Sequence, residues 1–322
     1  MSSPKDEFAH LRIPLKSILY ATNNFAQENV ICNGTLAKEY KGHLLWSGEL
    51  INITARRSNK DRKDGEQQFW MEISMFSSLK HKNLVSLVGF CDEKDEKVII
   101  IRRETRGSLN NYLSDPMLLT WVRRLEISVG LAHALTYIHF DEPRDFSAIH
   151  RRITSGRVVL NDDWEPKLSD FESSMKIKAS QRHHSFHTNI ATYVKGYGDP
   201  TYIETKSVNH KSDIYSFGIV LFELLCGRKA VIDDQDNKYL GPVAIFHYKN
   251  KILNDIVDPN LWKHMDLQSF KLFVETAHDC LNEERSQRPS IDEIVPRLEK
   301  ALKLQLEREN AVRPCLLILI YS

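Results

Sequence analysis

The chain of 322 residues lacks the features that mark membrane and secreted proteins. No apolar run approaches the roughly 18 to 20 residues of a membrane-spanning helix. The run from Cys315 to Tyr321 is apolar over only seven residues, so we interpret it as a short hydrophobic tail and not as an anchor. The polar start, MSSPKDEFAHL, argues against a signal peptide, and Ser2 excludes the glycine that N-myristoylation requires. We therefore expect a cytoplasmic protein.

Cysteine is scarce and charge is balanced. The five cysteines are scattered, odd in number and free of C-x-x-C spacing, which favours a reducing compartment over a disulfide framework or a zinc site. A net charge of +1 gives no general attraction to nucleic acid or to an anionic membrane. We therefore expect no nucleic-acid partner, and membrane association only through a protein partner. With 42% hydrophobic and 27% charged residues, the chain can form one large globular domain or two lobes.

The first hundred residues predict a small β-rich unit with one helix. From Phe69, the apolar positions Phe69, Ile73, Phe76 and Leu79 recur every three or four residues, as in an amphipathic helix. The run GELINITAR before it is typical of a strand. The runs LVSLVGF and KVIII after it predict two more strands, with DEKDEK as the turn between them.

Beyond residue 108 the pattern predicts a mainly helical unit. The run from Asp213 to Leu225 is apolar on nearly every side, so we expect a helix buried in the core of this part. The periodicity predicts a last helix from Ile291 to Leu306, with a kink at Pro296. There is no internal repeat. The sequence therefore predicts an α+β fold with a small β-rich lobe followed by a larger helical lobe.

Four long segments have a specific residue pattern: Ile13–Phe25, Phe69–Glu93, Lys211–Ala230 and Arg285–Val295. They resemble the cytoplasmic kinase domain of the plant receptor-like protein kinases, of serine/threonine-tyrosine type, and the resemblance extends from about Leu11 to Leu302. It implies the bilobal protein-kinase-like fold. We expect a lead-in segment at 1–24, a kinase-like domain at 25–302 with its lobes at about 25–105 and 106–302, and a helix end with an apolar tail at 303–322.

The resemblance also shows that the catalytic loop has changed. IHRRITSGR stands where the family has H-R-D-x-K-x-x-N. Arg152 replaces the aspartate that orients the attacking hydroxyl, Thr154 replaces the lysine near the transferred phosphate, and Arg157 replaces the metal-binding asparagine. The family transfers phosphate mainly by positioning and charge stabilisation. Three such losses in one loop predict a domain without transfer activity, in which no residue is expected to be catalytic.

The nucleotide side of the cleft has changed as well. In ICNGTLAKEYKG, Gly34 is kept, Cys32 and Ala37 replace the other two phosphate-loop glycines, and Glu39 replaces the valine that covers adenine. Some working kinases tolerate one altered glycine, so an ordinary hairpin is an equal interpretation of this stretch. We assign Ile31 to the start of this loop and Ile101 to the gatekeeper position.

The lysine that grips the phosphates in the family aligns with Thr54. Arg56 shares its strand face, but two residues along a strand displace it by about 6 to 7 Å, so we do not expect it to substitute. Glu72, which would pair with that lysine, is then expected to be solvated or locally bonded.

The metal site is predicted to be damaged. SDFE keeps Asp170, the carboxylate that would hold magnesium, and has Glu172 in place of the family's glycine. We hypothesise that Arg152 or Arg157 pairs with Asp170 and stands where the metal would be. The cleft is then expected to be cationic, with no bound metal and with Mg-ATP binding weak or absent.

Architectural residues are kept. Phe76, His150 and Phe171 match members of the family's internal hydrophobic spine, and Asp213 matches the aspartate that anchors its base. Arg288 resembles the arginine that salt-bridges the glutamate of A-P-E, but Thr201 stands at that glutamate.

The expected activation segment contains three histidines that could imitate a metal cluster, and we interpret them as part of an exposed loop: His183, His184 and His187. Five hydroxyl groups there could accept phosphate: Ser180, Ser185, Thr188, Thr192 and Tyr193. The preserved Arg151 could receive such a phosphate.

Three functions remain open on this evidence. The first is a pseudokinase that acts as scaffold or allosteric partner of an active receptor-like kinase or of its substrates, at the inner face of the plasma membrane through that partner. The second is a weakly active serine/threonine kinase. The third is a switch that binds ATP without transferring phosphate.

Overall fold

The computed structural model describes residues 4–34, 37–59, 65–140, 144–189, 191–232 and 238–320. A β-rich lobe is followed by a larger helical lobe, as the sequence predicts, and the α+β assignment is confirmed. Each lobe has its own buried apolar residues. The main core cluster extends from the helical lobe into the β-rich lobe, where it includes Phe69, Phe76 and Ile101.

The first lobe is built on one antiparallel sheet with the strand order β1-β2-β3-β5-β4. Its elements are α1 (Pro4–Glu7), α2 (Leu15–Ala21), β1 (Val30–Asn33), β2 (Ala37–Trp46), β3 (Glu49–Ser58), α3 (Gly65–Ser78), β4 (Leu87–Cys91) and β5 (Val98–Arg102). The three strand predictions are confirmed, although β4 begins only at Leu87.

Helix α3 confirms the predicted stripe, since Phe69, Ile73 and Phe76 are all buried. Phe69 meets Phe90 of β4 edge to face at 5.9 Å between ring centroids. Glu72 lies one turn after Phe69 and therefore on the same face of the helix. The apolar anchors thus direct one carboxylate towards the interior.

The second lobe contains six helices and several short strands among its described residues. The helices are α4 (Trp121–Phe140), α5 (Pro200–Thr205), α6 (His210–Cys226), α7 (Leu240–Lys249), α8 (Leu267–Cys280) and α9 (Ile291–Ile320). The strands are β6 (Gly107–Ser108), β7 (Phe146–Ile149), β8 (Val158–Leu160), β9 (Pro166–Leu168), β10 (Met175–Lys178), β11 (Phe186–His187) and β12 (Ser207–Val208).

Helix α6 is the buried helix that the sequence predicts, because nearly every residue along it is buried. A capping box of Asn209 and Ser212 starts it, and Gly227 ends it with a φ of 64°, a left-handed conformation that glycine adopts without strain. Helix α9 continues through Pro296 to Ile320, so the predicted end at Leu306 is wrong. The predicted apolar tail, Cys315–Tyr321, lies beyond the side chains that the structure describes.

Short strand pairs of the second lobe flank the catalytic loop. Strand β8 pairs with β6 and β9, and β7 pairs with β10. The loop between β7 and β8 and the loop after β9 line one cavity together with residues of β2 and β3. Over the part of the chain that is described, no helix is both long enough and apolar enough to span a membrane.

Candidate functional site

The cleft between the lobes encloses a cavity of about 610 Å³. Its walls include residues of β1, β2, β3 and β5 in the first lobe. In the second lobe they include residues of the loop between β7 and β8 and of the loop after β9. Of the sequence-predicted positions, the structure places these on its walls: Ile31, Cys32, Gly34, Ala37, Glu39, Thr54, Ile101, Arg152, Arg157, Asp170 and Glu172. Arg56 lies there too.

The hairpin that resembles the phosphate loop closes on itself. Gly34 donates its backbone N–H to the carbonyl of Ala37 at 3.1 Å. A Cβ at Gly34 would approach that same oxygen to 3.0 Å, a close approach that glycine permits. Cys32 pairs with Glu39 across β1 and β2, and residues 35 and 36 lie outside the described residues. Both ends of the hairpin therefore carry side chains where the family has glycines.

Arg56 is the centre of the cleft's ion pairs, which corrects the expectation that it could not take the lysine's place. Its Nη1 contacts Glu72 Oε1 and lies 3.2 Å from Asp170 Oδ1. Its Nε lies 3.2 Å from Glu39 Oε1 and its Nη2 lies 3.7 Å from Glu172 Oε2. Only 6% of the side chain is exposed. The long stem of arginine spans the offset along β3 that a shorter side chain could not.

Glu72 is neither solvated nor locally bonded, so that expectation is wrong. It is 2% exposed, pairs with Arg56, and accepts the backbone N–H of Phe171 at 3.2 Å. Burial raises the pKa of Glu72 to about 8, against the opposing effect of Arg56. One carboxyl group thus connects α3 to β3 and to the loop after β9.

The two catalytic-loop arginines pair with different carboxylates. Arg157 Nε lies 3.2 Å from Asp170 Oδ2, which is the contact that the sequence predicts for one of the two arginines. Arg152 Nη1 instead donates to Glu172 Oε1 at 2.7 Å. Burial by itself would raise the pKa of Asp170, but Arg56 and Arg157 outweigh it and lower that pKa. Asp170 is therefore held ionised between two guanidinium groups.

The described residues that line the cleft include six arginines and four carboxylates, so the cleft as a whole is cationic, as expected, but the ion-paired set within it is not. Four carboxyl groups meet three guanidinium groups, a formal charge of −1 for the set Glu39, Glu72, Asp170, Glu172, Arg56, Arg152 and Arg157. Burial is the leading cause that raises the pKa of Glu39 and of Glu172. A shared proton would make the cluster neutral. We call these seven residues the Arg56 cluster.

The residues of the cleft do not fit a magnesium ion. Among the described residues, Glu72, Asp170 and Glu172 form the one group of three carboxylates close enough to share a cation, with oxygens within 4.8 Å of one another. Oxygen ligands suit Mg²⁺. However, guanidinium nitrogens lie at 3.2 Å from both oxygens of Asp170. Arginine already supplies the positive charge that these carboxylates require.

Neither threonine of the site can replace a lysine. Thr54 is buried on β3 opposite Ile101 of β5. Thr154 is also buried, and its carbonyl accepts the backbone N–H of Arg157 at 3.0 Å. A hydroxyl group carries no positive charge with which to hold a phosphate.

The predicted spine residues lie in contact. The rings of Phe76 and Phe171 are 5.3 Å apart and those of Phe171 and His150 are 4.8 Å apart. Asp213 accepts the backbone N–H groups of His150 and Arg151, each at 2.7 Å. Arg151 is held with a φ of 70°, which is strained for an arginine. The carboxylate of α6 therefore holds the start of the catalytic loop.

Asp199 is a structural residue that sequence reasoning missed. Its Oδ1 accepts from Arg288 Nη2 at 2.9 Å and its Oδ2 accepts from Arg285 Nη2 at 2.7 Å. Asp199 thus supplies the carboxylate that Thr201 lacks. The signal was present in the sequence, because Asp199 precedes Thr201 by two residues and starts α5 as its N-cap.

Arg151 is held by hydrogen bonds to the Ser173 carbonyl and to Tyr202. Its Nη2 donates to Tyr202 Oη at 2.5 Å and its Nη1 donates to the Ser173 carbonyl at 3.0 Å. The described residues include all three histidines of the activation segment, and none belongs to a group able to hold a metal. Phosphorylation of the five hydroxyl groups stays a prediction.

Comparison with known proteins identifies what the chain is similar to. The family model described as protein kinase domain matches residues 25–297. The receptor-like protein kinase ANXUR2 of Arabidopsis thaliana is 37% identical over 301 residues, which cover 91% of this chain and 34% of that protein. FERONIA, a receptor-like protein kinase of the same plant, is 35% identical over 298 residues, which cover 90% of this chain and 32% of that protein. The chain therefore spans about a third of the length of these curated relatives.

Proposed function

The chain belongs to the protein kinase family, among the plant receptor-like kinases, and from this premise we propose that it is a pseudokinase. It binds protein partners as a scaffold or allosteric module and transfers no phosphate. The observation that carries the proposal is the Arg56 cluster, which occupies the metal and phosphate end of the cleft.

A bound magnesium ion would be repelled by two guanidinium groups and would have to compete with them for the carboxylates of this cleft. At about 4 Å and an effective dielectric of about 20, two unit charges interact by about 4 kcal/mol. A divalent ion beside Arg56 and Arg157 would therefore face several times that repulsion. Its carboxylate ligands would also have to leave guanidinium groups that they already pair with.

No proton acceptor stands at the catalytic position. The family's aspartate orients the hydroxyl that attacks the phosphate. Arg152 stands there instead, and a guanidinium group donates protons without accepting them. Its partner Glu172 is buried and already accepts from it at 2.7 Å. The groups that accelerate transfer are therefore replaced by groups that pair with each other.

The ion pairs of the Arg56 cluster also support a function in which the protein acts through a fixed arrangement of its two lobes. Arg56 and Glu72 belong to the first lobe, whereas Asp170 and Glu172 belong to the second, so their pairs cross the cleft. Together with the packed spine, they hold the lobes in one arrangement without a nucleotide. A fixed surface suits an active receptor-like kinase, or its substrates, in the cytoplasm at the plasma membrane. Those partners and that location are part of the proposal.

One observation favours a second candidate, an ATP-binding switch without transfer. Arg56 restores a cation beside Glu72 and Asp170, and the 610 Å³ cavity is of a size that ligands occupy. A nucleotide would have to bind without magnesium and against a cluster of formal charge −1. We therefore rank this candidate second, ahead of a weakly active kinase.

Thermal denaturation with and without Mg-ATP separates the candidates. A ligand at about 100 times its dissociation constant adds about 2.7 kcal/mol to stability. With an unfolding entropy of about 2.1 cal/mol/K per residue, this raises Tm by about 4 °C. We expect no shift and no transfer of radiolabel, with the kinase domain of a similar relative as the positive control. A shift without product would favour the switch, and transfer that Asp170→Asn abolishes would refute the pseudokinase.

A further inference from the structure

A second cavity, of about 820 Å³, lies on the helical lobe and shares no lining residue with the cleft. Four parts of the chain meet around it. Phe140 ends α4, Arg182 and His183 belong to the activation segment, and residues 209–211 start α6. The fourth part runs from the connection between α8 and α9 into the first turn of α9, over residues 285–292. We call this cavity the activation-segment pocket.

Positive charge dominates the pocket. Of the described residues that line it, Arg182, Lys211 and Arg285 are cations and Asp292 is the one carboxylate. Glu293 also acts on Lys211, whose pKa it would raise. Burial has the larger effect and lowers the pKa of Lys211, so this cation is poorly solvated where it lies. An anion in the pocket would relieve that penalty.

Two of these cations have donors to spare. Lys211 Nζ donates to the backbone carbonyl of Arg288, an uncharged acceptor, and makes no other hydrogen bond within the described residues. Arg285 uses Nε and Nη2 on Asp199 and Ser207, while its Nη1 makes no hydrogen bond to any described residue. Asp199 also binds Arg288. One carboxylate thus balances two guanidinium groups, which leaves a positive charge beside the pocket.

The wall formed by Phe140 is aromatic. The Phe140 ring lies 6.1 Å from the ring of His183, nearly parallel to it, and 5.4 Å from the ring of His210. The guanidinium group of Arg182 lies 5.6 Å from the Phe140 ring centroid. An apolar wall beside several cations suits a ligand with an anionic head and an apolar or aromatic body. The volume lies within the range of about 300 to 1,000 Å³ that small ligands occupy.

We propose that the activation-segment pocket binds a phosphorylated side chain of a partner peptide. Clusters of arginine and lysine recognise phosphopeptides because a phosphomonoester carries nearly two negative charges and three acceptor oxygens. Guanidinium groups match those oxygens with paired donors. The proposal names a partner chemistry and does not depend on whether the cleft transfers phosphate. Because Arg182 and His183 belong to the activation segment, the ligand would hold that segment against α4 and α6.

Isothermal titration of the full chain with capped amino acids tests the proposal. The probes are N-acetyl-phosphotyrosine amide and N-acetyl-phosphoserine amide, with N-acetyl-tyrosine amide and inorganic phosphate as comparisons. We expect at least one phosphorylated probe to bind and the unphosphorylated one to fail. Arg182→Gln and Lys211→Gln should each weaken binding about tenfold, the loss of one charge-assisted hydrogen bond. Arg285 is left unchanged because it anchors Asp199.

Two control variants locate the bound anion. Lys271→Gln removes an exposed lysine of the same lobe, and Arg157→Gln removes a cation of the cleft. Neither should change the affinity. The proposal is overturned if no phosphorylated probe binds, or if binding survives both pocket variants. It is also overturned if Arg157→Gln abolishes binding, which would place the anion in the cleft, or if inorganic phosphate binds as tightly as the capped probes.

Discussion

Replacing Arg56 by methionine should show how much the ion pairs of the cleft contribute to the stability of the protein. Methionine keeps much of the apolar stem but removes the guanidinium group. Four carboxyl groups would then lose their central cation, which now lies 3.2 Å from Glu39 and from Asp170 and 3.7 Å from Glu172, and contacts Glu72. The formal charge of the remaining cluster would fall from −1 to −2.

The expected loss follows from the burial of these groups. Each pair at such distances gains about 4 to 5 kcal/mol of Coulomb energy at an effective dielectric of about 20. Desolvation offsets most of this, at several kcal/mol per ion. Removing one partner of a buried network costs about 3 to 5 kcal/mol, because the other charges stay buried without compensation. At about 2.1 cal/mol/K per residue, Tm should fall by about 4 to 7 °C.

Calorimetry of Arg56→Met and Arg57→Met provides the test. Arg57 is the next residue of β3, but its side chain is 33% exposed and pairs with Glu96 outside the cleft. Its loss leaves one carboxylate without its arginine instead of four, so it should cost less than the loss of Arg56. Glu72→Gln should recover part of the loss in the Arg56→Met protein. Equal Tm values for the two single variants would refute the assignment of Arg56 as the centre of the cluster.

Two further predictions concern pH and the second buried network. Between pH 6.5 and about 8 the free energy of unfolding should fall, because burial raises the pKa of Glu72 to about 8 and of Glu223 to about 7, above their ordinary value of 4.5. Their stabilisation is complete below pH 4.5 and is lost as pH rises through the folded values. Urea denaturation at several pH values should show that the free energy of unfolding depends less on pH in Glu72→Gln and in Glu223→Gln. An unchanged dependence on pH in both variants would contradict this. Asp199→Asn should cost about 3 to 5 kcal/mol, because it leaves the buried Arg288 and the partly buried Arg285 without a carboxylate. Asp279→Asn, at an exposed pair, should change stability by less than about 1 kcal/mol. Equal losses would refute the role of Asp199.

Local periodicity explains what could be predicted of the fold. The apolar stripe from Phe69 predicts a helix with one buried face, and the continuous apolar run of α6 predicts a helix buried on all sides. The structure confirms both predictions. The end of α9 could not be placed as well. The charged and polar residues after Leu306 interrupt the periodicity without breaking the helix, so the pattern stops before the helix does.

The site was predicted in its components but not in its contacts. The sequence alone located Arg152, Arg157 and Asp170, and it predicted that an arginine pairs with Asp170. It failed for Arg56, because an offset along a strand was treated as a fixed distance while a long side chain can cross it. It failed for Asp199 because only the aligned position of the missing glutamate was considered.

The sequence by itself determined the family and the order of the lobes, and it predicted the loss of the residues that kinases use to transfer phosphate. These follow from residue identities and from patterns among near neighbours. Only the tertiary structure decided what the replacements do. Glu39, Arg56, Glu72 and Asp170 belong to separate elements, and only their meeting pairs the carboxylates with a buried arginine. The energy of an ion pair depends on distance and burial, which are fixed when the elements pack together.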